Sequence, residues 1–217
     1  MRYLVLICLV TQSFGQWTSF FQEKRSSQLY QLGGMTVAHQ HTLRIPKDRR
    51  IILGTTMNKG LTNTGIIPIV HGDIKLSWNL SLRGKMGNYS AKEGAVQLFG
   101  WGMSLKPGKE KNMSKWTILF DAGQLYSHSQ IKIMSIQFMG RRTVKLKGAT
   151  FQIGLGINMA EGTPLSLVEN ELLSKIKIQT NFLNMGTSFK LFGLHVSPQL
   201  WTNANYNQIS ISIMDTF

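Results

Sequence analysis

His39 and His41 are the first residues whose spacing could do chemistry, because side chains two apart share one face of an extended strand. A metal ion needs at least a third ligand, and nothing in the sequence nominates one, so no metal site is assigned. Hydrolysis needs a nucleophile beside a positioned base. Serines are many and histidines number five, yet no nucleophile elbow or related arrangement occurs. Gly154-x-Gly156 lies inside a strand-like run with no helix after it, which excludes a phosphate loop. No catalytic, cofactor-binding or metal residue is therefore assigned, and no cofactor. What remains is charge. Lys75, Lys175, Lys177 and Lys190 alternate with apolar residues, and Asp121 falls out of phase with Trp116, Ile118 and Phe120.

The 217 residues carry a formal charge of +14. A basic balance suits nucleic acid, anionic lipid or an anionic solute. Nucleic acid is set aside, because the cations are spread along strand-like segments and the N-terminus reads as an export signal. Arg2, the apolar run Tyr3 to Val10, and the small residues Ser13 and Gly15 make residues 1–15 a signal peptide, with Gln16 first in the mature chain. The one cysteine, Cys8, leaves with it, so no disulfide staples the fold. No later stretch approaches the roughly twenty apolar residues of a membrane helix.

The elements that must position these groups are strands. Residues 16–30 show no clear period and read as an N-terminal periplasmic segment; residues 31–217 read as one barrel. A first strand is expected over Gln31–Arg44, with Met35, Val37 and Leu43 in phase, then a turn over Ile45–Arg50 marked by Pro46. Ile51–Met57 is the second strand and Asn58–Val70 a loop. Asp73–Leu82 is the cleanest alternation, with Ile74, Leu76, Trp78, Leu80 and Leu82 in register against polar neighbours. Arg83–Gly94 reads as loop and Ala95–Leu105 as strand, with a bulge near Leu98-Phe99. Lys106–Ser114 is a turn before the strand Trp116–Tyr126. Ile131–Met139 follows, then a turn at Gly140-Arg141-Arg142. Thr143–Met159 comes next, with a bulge at Gly148-Ala149. Ala160–Ser174 is a long loop, Lys175–Phe182 a strand, Asn184–Gly186 a turn, and Thr187–Trp201 a strand whose pairing loosens near Pro198.

The chain closes on Tyr206–Phe217, where Ile209, Ile211, Ile213 and Phe217 face one way and Ser210, Ser212, Met214 and Thr216 the other. One greasy face, one mostly polar face and an aromatic carboxy-terminus resemble the last strand of a bacterial outer-membrane β-barrel. There the terminal residue, here Phe217, forms part of the signal read by the insertion machinery. Asp215 departs from that pattern, since an apolar residue is usual two places before the end. Gly33-Gly34-Met35-Thr36-Val37-Ala38 resembles the Gly-rich first strand of larger barrels related to fatty-acid transporters and type IX secretion shuttles. This chain is much shorter, and their function is not carried over.

The reading is an all-β, antiparallel up-and-down transmembrane barrel of about ten strands (8–12) in the bacterial outer membrane. Apolar faces would meet lipid, and Lys75, Asp121, Lys175, Lys177 and Lys190 would line the interior. That interior is either a basic pore for small anionic solutes or a lumen filled by its own side chains, and ten strands favour filling. Trp78, Trp101, Trp116, Trp201, Tyr126 and Tyr206 are candidates for interfacial girdles. Expected partners are outer-membrane lipids and the insertion machinery. The role is structural or accessory, or that of a small passive pore, and not enzymatic. Two rivals stay open. A soluble exported barrel binding an apolar ligand would reverse the faces. An outer-membrane enzyme acting on lipid or peptide would cluster His, Ser or Asp at one rim.

Overall fold

The computed structural model describes residues 27–60, 66–91, 94–127, 131–146, 149–164, 175–203 and 206–217. Among the described residues a helix, α1 (Ser27–Val37), comes first. The strands are β1 (Ile51–Gly60), β2 (Ile66–Lys75), β3 (Leu80–Ala91), β4 (Gly94–Leu105), β5 (Gly108–Lys109), β6 (Asn112–Met113), β7 (Trp116–Ser127), β8 (Ile131–Leu146), β9 (Ala149–Pro164), β10 (Ile176–Leu191), β11 (Leu194–Asn203) and β12 (Tyr206–Thr216). Ten of them close a barrel in the order β1-β12-β11-β10-β9-β8-β7-β4-β3-β2, every neighbour antiparallel. β5 and β6 form a separate two-stranded flap between β4 and β7. Closure leaves no edge, which is the condition for a sheet to stand in hydrocarbon.

Closure is made by the chain ends of the wall. β12 pairs with β1 from Ile52↔Thr216 to Gly60↔Gln208. Phe217 then exchanges backbone bonds with Ile51, N to O at 2.9 Å and O from N at 3.0 Å. The end of the barrel carrying Phe217 is termed the near mouth, and the opposite end the far mouth. Among the described residues the near mouth carries the β2–β3 turn, the β5–β6 flap and the tight turn at Phe192-Gly193. Both residues of that turn have positive φ (49° and 84°), which matches the twist of a two-residue hairpin.

The expected first strand is the largest departure. Gln31–Arg44 joins no sheet: its first part belongs to α1 and the rest runs as irregular chain inside the barrel. The wall begins at Ile51, not at residue 31. Two consecutive glycines cost a helix about 1 kcal/mol each, but here they let α1 lie against the wall. A Cβ on Gly34 would stand 2.6 Å from Cβ of Ala160 in β9, and one on Gly33 would stand 2.3 Å from Cδ1 of Ile133 in β8. Packing overrides propensity. The resemblance of Gly33–Ala38 to a Gly-rich strand fails for the same reason.

Other boundaries shift for identifiable causes. The alternation from Asp73 to Leu82 crosses a turn: β2 ends at Lys75 and β3 starts at Leu80. Leu76 and Leu80 bond across it (Leu76 N to Leu80 O, 3.0 Å), so the apolar phase survives the bend. Arg83–Gly94, expected to be loop, is mostly β3; it reads as loop because its inward residues are charged and its outward ones include Gly84. Asn58–Val70 contains the start of β2, and Pro68 sits where β2 pairs with β1 alone, beyond the last β2–β3 pair at Val70↔Met86. Gly140–Arg142 and Asn184–Gly186 are mid-strand in β8 and β10, not turns. Leu146 of β8 pairs with Ala149 of β9; Gly148, half of the expected bulge, lies outside the described residues. No bulge is needed at Leu98-Phe99, since β3–β4 pairing is continuous from Leu80↔Leu105 to Ala91↔Gly94. Near Pro198 the β10–β11 ladder does lapse between Gly186↔Gln199 and Phe189↔Val196.

Candidate functional site

The outer wall decides the environment. Leu53, Val70, Met86, Phe99, Trp101, Met103, Trp116, Ile118, Ile136, Phe138, Ile153, Leu155, Ile157, Ile209 and Ile211 are all exposed, and they spread over eight wall strands. Trp101, Phe120 and Phe138 pack as tilted rings along this surface, with centroids 5.3 and 4.9 Å apart. Inward positions on the same strands hold Thr56, Asn58, Asp73, Arg83, Lys85, Asp121, Gln137, Arg141, Asn158 and Ser212, all buried. A continuous apolar belt around a closed, polar-lined sheet suits hydrocarbon and not water. The chain is an outer-membrane β-barrel.

No family model matches it, and no curated protein matches it by sequence. Similar solved structures include the translocator domain of autotransporter NalP from Neisseria meningitidis (10% identity, TM-score 0.43, covering 91% of this chain and 96% of that one). Others are the KdgM porin (8%, TM-score 0.40, 76% and 99%) and an outer membrane channel from Pseudomonas putida F1 (10%, TM-score 0.41, 82% and 97%). At such identities and scores the class rests on the wall described above, and no role is taken from these proteins.

The barrel's lumen is occupied by its own chain. Tyr30 lies against Gly162 at the far mouth, where the ring fills the space a Cβ would need. Val37 reaches Gly100 and Gly123 at mid-height. Ile45 packs with Ile52 and Met214 at the near mouth, and Lys75 Nζ donates to the carbonyls of Pro46 and Lys47 at 3.1 and 2.8 Å. Residues 30–45 thus traverse the lumen from one mouth to the other. Around α1 the filling is greasy: Tyr30, Leu32, Met35 and Val37 form one core with Ile67, Ile69, Val96, Leu98, Leu125, Ile133, Phe182 and Trp201.

Below that core the filling is ionic. Asp121 of β7 is fully buried; Lys85 Nζ donates to it at 2.7 Å and Arg83 Nη1 at 3.2 Å. Gln40 of the lumen segment donates to its other oxygen. Arg83 Nε also donates to Asp73 at 2.9 Å, and Asp73 lies 2.7 Å from Nε2 of His41. His41 stacks on His71, with ring centroids 4.6 Å apart. His39 rests against Trp201, with centroids 5.3 Å apart. Two cations, Arg83 and Lys85, meet the two carboxylates in this cluster, and a third, Arg141, is buried beside them. Asp121 alone among the expected lumen residues belongs to it.

The remaining expected site residues lie elsewhere. Lys175 and Lys177 are corrected: both are exposed on the outer wall, and the alternating Ile176 and Ile178 point inward against the core around α1. Their strand end runs above the apolar belt, where Lys175 pairs with Glu161 at 2.9 Å. Lys190 is exposed at the near end of β10, past the filled part of the lumen. Lys75 caps the near mouth, as described. Trp201, a girdle candidate, is buried in the lumen, whereas Trp101, Trp116 and Tyr126 are exposed on the wall.

His41, His71 and Asp73 place ligand-type atoms within 4.8 Å of one another, a grouping invisible in the sequence because His71 lies between the expected loop Asn58–Val70 and the expected strand Asp73–Leu82, in neither. Arg83 already shares Asp73, and Lys85 and Arg141 stand nearby, so the field opposes a further cation. The sequence reading missed Arg83, Lys85 and Arg141 altogether. For Arg83 and Lys85 the signal was a cation every second residue between Leu82 and Met86; Arg141, read as part of a turn, had none.

Two concavities, about 1490 and 710 Å³, are lined mainly by outward-facing residues such as Val70, Met86, Phe99, Ile118 and Leu155. They belong to the lipid-facing wall, where acyl chains would fill them.

Proposed function

We propose that this barrel is closed to ions: a non-enzymatic, structural or accessory outer-membrane protein whose lumen is sealed by its own N-terminal chain. The observation that carries this reading is the passage of residues 30–45 through the whole lumen. Residues 30–42 are buried or nearly so throughout. Ten strands enclose a bore only slightly wider than eight, which side chains alone can fill; a helix and a strand's width of peptide leave no aqueous path. The near mouth is assigned to the periplasm, with Phe217 offered to the insertion machinery before closure. Small anionic solutes would cross only with the segment withdrawn. The histidine and aspartate cluster supports no hydrolytic reading, being buried and already engaged in ion pairs.

Planar-bilayer recording of the purified full chain tests the proposal. Silent insertions, with heat-modifiable gel migration proving the barrel folded, are expected. Steady channels from the folded protein would replace this reading with the passive pore.

A further inference from the structure

Residues 38–42 belong to neither helix nor strand, so their backbone oxygens need partners from outside the segment. The wall supplies them. Gln137 Nε2 donates to Ala38 O at 3.1 Å and Lys85 Nζ to His39 O at 2.9 Å. Arg141 donates to Gln40 O at 3.5 Å and to His41 O at 2.7 Å, and Gln152 Nε2 to Thr42 O at 2.5 Å. Five consecutive peptide oxygens thus end on four side chains, from β3, β8 and β9. The pattern continues upward, where Asn158 Nδ2 donates to Gly34 O at 3.3 Å.

A peptide oxygen is the same for every residue type, so these donors read the course of a backbone and not its side chains. Arg141 makes the point most sharply. It is buried, and the hydrogen bonds of its guanidinium go to two of these carbonyls instead of a carboxylate. A buried cation is costly unless satisfied, so this position makes sense only with a peptide beside it. We propose that the lumen is a binding site for a non-helical peptide strand, recognised through its backbone oxygens, with residues 38–42 as the resident ligand. The inference rests on the closed-barrel reading. Its ligand class is a polypeptide segment carrying small residues at the level of Gly33 and Gly34, held mainly by its backbone, with the side-chain contacts of Gln40 to Asp121 and His41 to Asp73 secondary.

The experiment uses the folded full chain. Lys47, Asp48, Arg49 and Arg50 are exposed, so a site-specific protease sequence placed there can nick the folded protein without entering the lumen. The cut N-terminal fragment is stripped from the nicked barrel in detergent with urea, its loss checked by mass spectrometry, and the emptied barrel is offered a fluorescent synthetic peptide of residues 27–47. Uptake seen by anisotropy is expected. A peptide with residues 39–42 all alanine should bind less than about tenfold weaker, whereas Arg141→Gln in the wall should weaken uptake more than tenfold. Should Arg141→Gln fail to fold, a peptide with an ester in place of the His41–Thr42 amide probes the same carbonyl in the unaltered barrel. Refusal of the peptide by the nicked barrel overturns the proposal. So does loss of binding on alanine substitution with indifference to Arg141 and the ester, which would mean a side-chain lock. Steady conductance of the uncut protein removes the closed-barrel reading; a silent barrel that refuses peptide removes this inference alone.

Discussion

Asp121→Asn isolates the electrostatic latch between wall and lumen segment. The substitution keeps the shape of the side chain but removes the charge that Lys85 and Arg83 share at 2.7 and 3.2 Å. Arg83 retains Asp73 at 2.9 Å, whereas Lys85 retains only the His39 carbonyl. Breaking one partner of a buried pair costs about 3–5 kcal/mol, and the surviving Arg83–Asp73 pair places this case at the low end, about 3 kcal/mol. The penalty falls on the filled state. With the segment withdrawn, water reaches Lys85 and the wall ladders are unchanged. At about 1.4 kcal/mol per tenfold, the ratio of open to filled lumen should rise by roughly two orders of magnitude. Bilayer recording should then show intermittent openings in Asp121→Asn where the unaltered barrel is silent. Adding Lys85→Met, which removes the stranded cation, should bring most of the silence back. If Asp121→Asn is as silent and as heat-resistant as the parent, or the double variant opens as often as the single, the latch reasoning is wrong.

Gly34→Val should unseat α1, because its Cβ would stand 2.6 Å from that of Ala160; about 1–3 kcal/mol of overpacking should lower the melting temperature, with Ala160→Gly restoring part of it. Leu155→Arg, at a position 66% exposed in the apolar belt, should cost about 2–4 kcal/mol in urea titrations of the vesicle-inserted barrel. Lys177→Ala, on the polar upper wall, should stay within about 0.5 kcal/mol in the same titration. Removing Phe217 deletes two backbone bonds to Ile51 at the closing seam and should slow the appearance of the folded gel band in refolding time courses.

The closing strand was legible because β12 repeats with period two, lipid on one side and a polar lumen on the other; the count of ten was reached by offset, since residues 31–44 form no wall strand and Asp73–Leu82 spans parts of two. The alternation of Phe151, Ile153, Leu155, Ile157 and Met159 in β9 was legible for the same reason. The turns were less so. A polar stretch such as Arg83–Lys85 looks like a loop when its inward residues carry charge and an outward one is glycine. An alternation can also pass straight through a bend, as from Ile74 to Leu82. The ionic cluster was not legible at all, since its members come from β2, β3, β7, β8 and the lumen segment and meet only on closure.

The inversion in β10 shows what a two-environment reading leaves out. A wall residue meets lipid, a polar lumen, or the greasy surroundings of α1, and the third of these turns the ordinary barrel rule around. Ile176, Ile178 and Phe182 face inward because α1 and its core stand behind them; Lys175 and Lys177 face outward because the strand there has climbed past the apolar belt. Val96 and Leu98 in β4 obey the same logic, which is why an apparent phase change needed no bulge. An apolar inward face confined to one end of a barrel therefore reports a plug at that end. The Gly33-Gly34 pair, awkward in a strand and in a free helix alike, identifies the segment that supplies it, because only close seating against a wall makes the absence of two side chains an advantage.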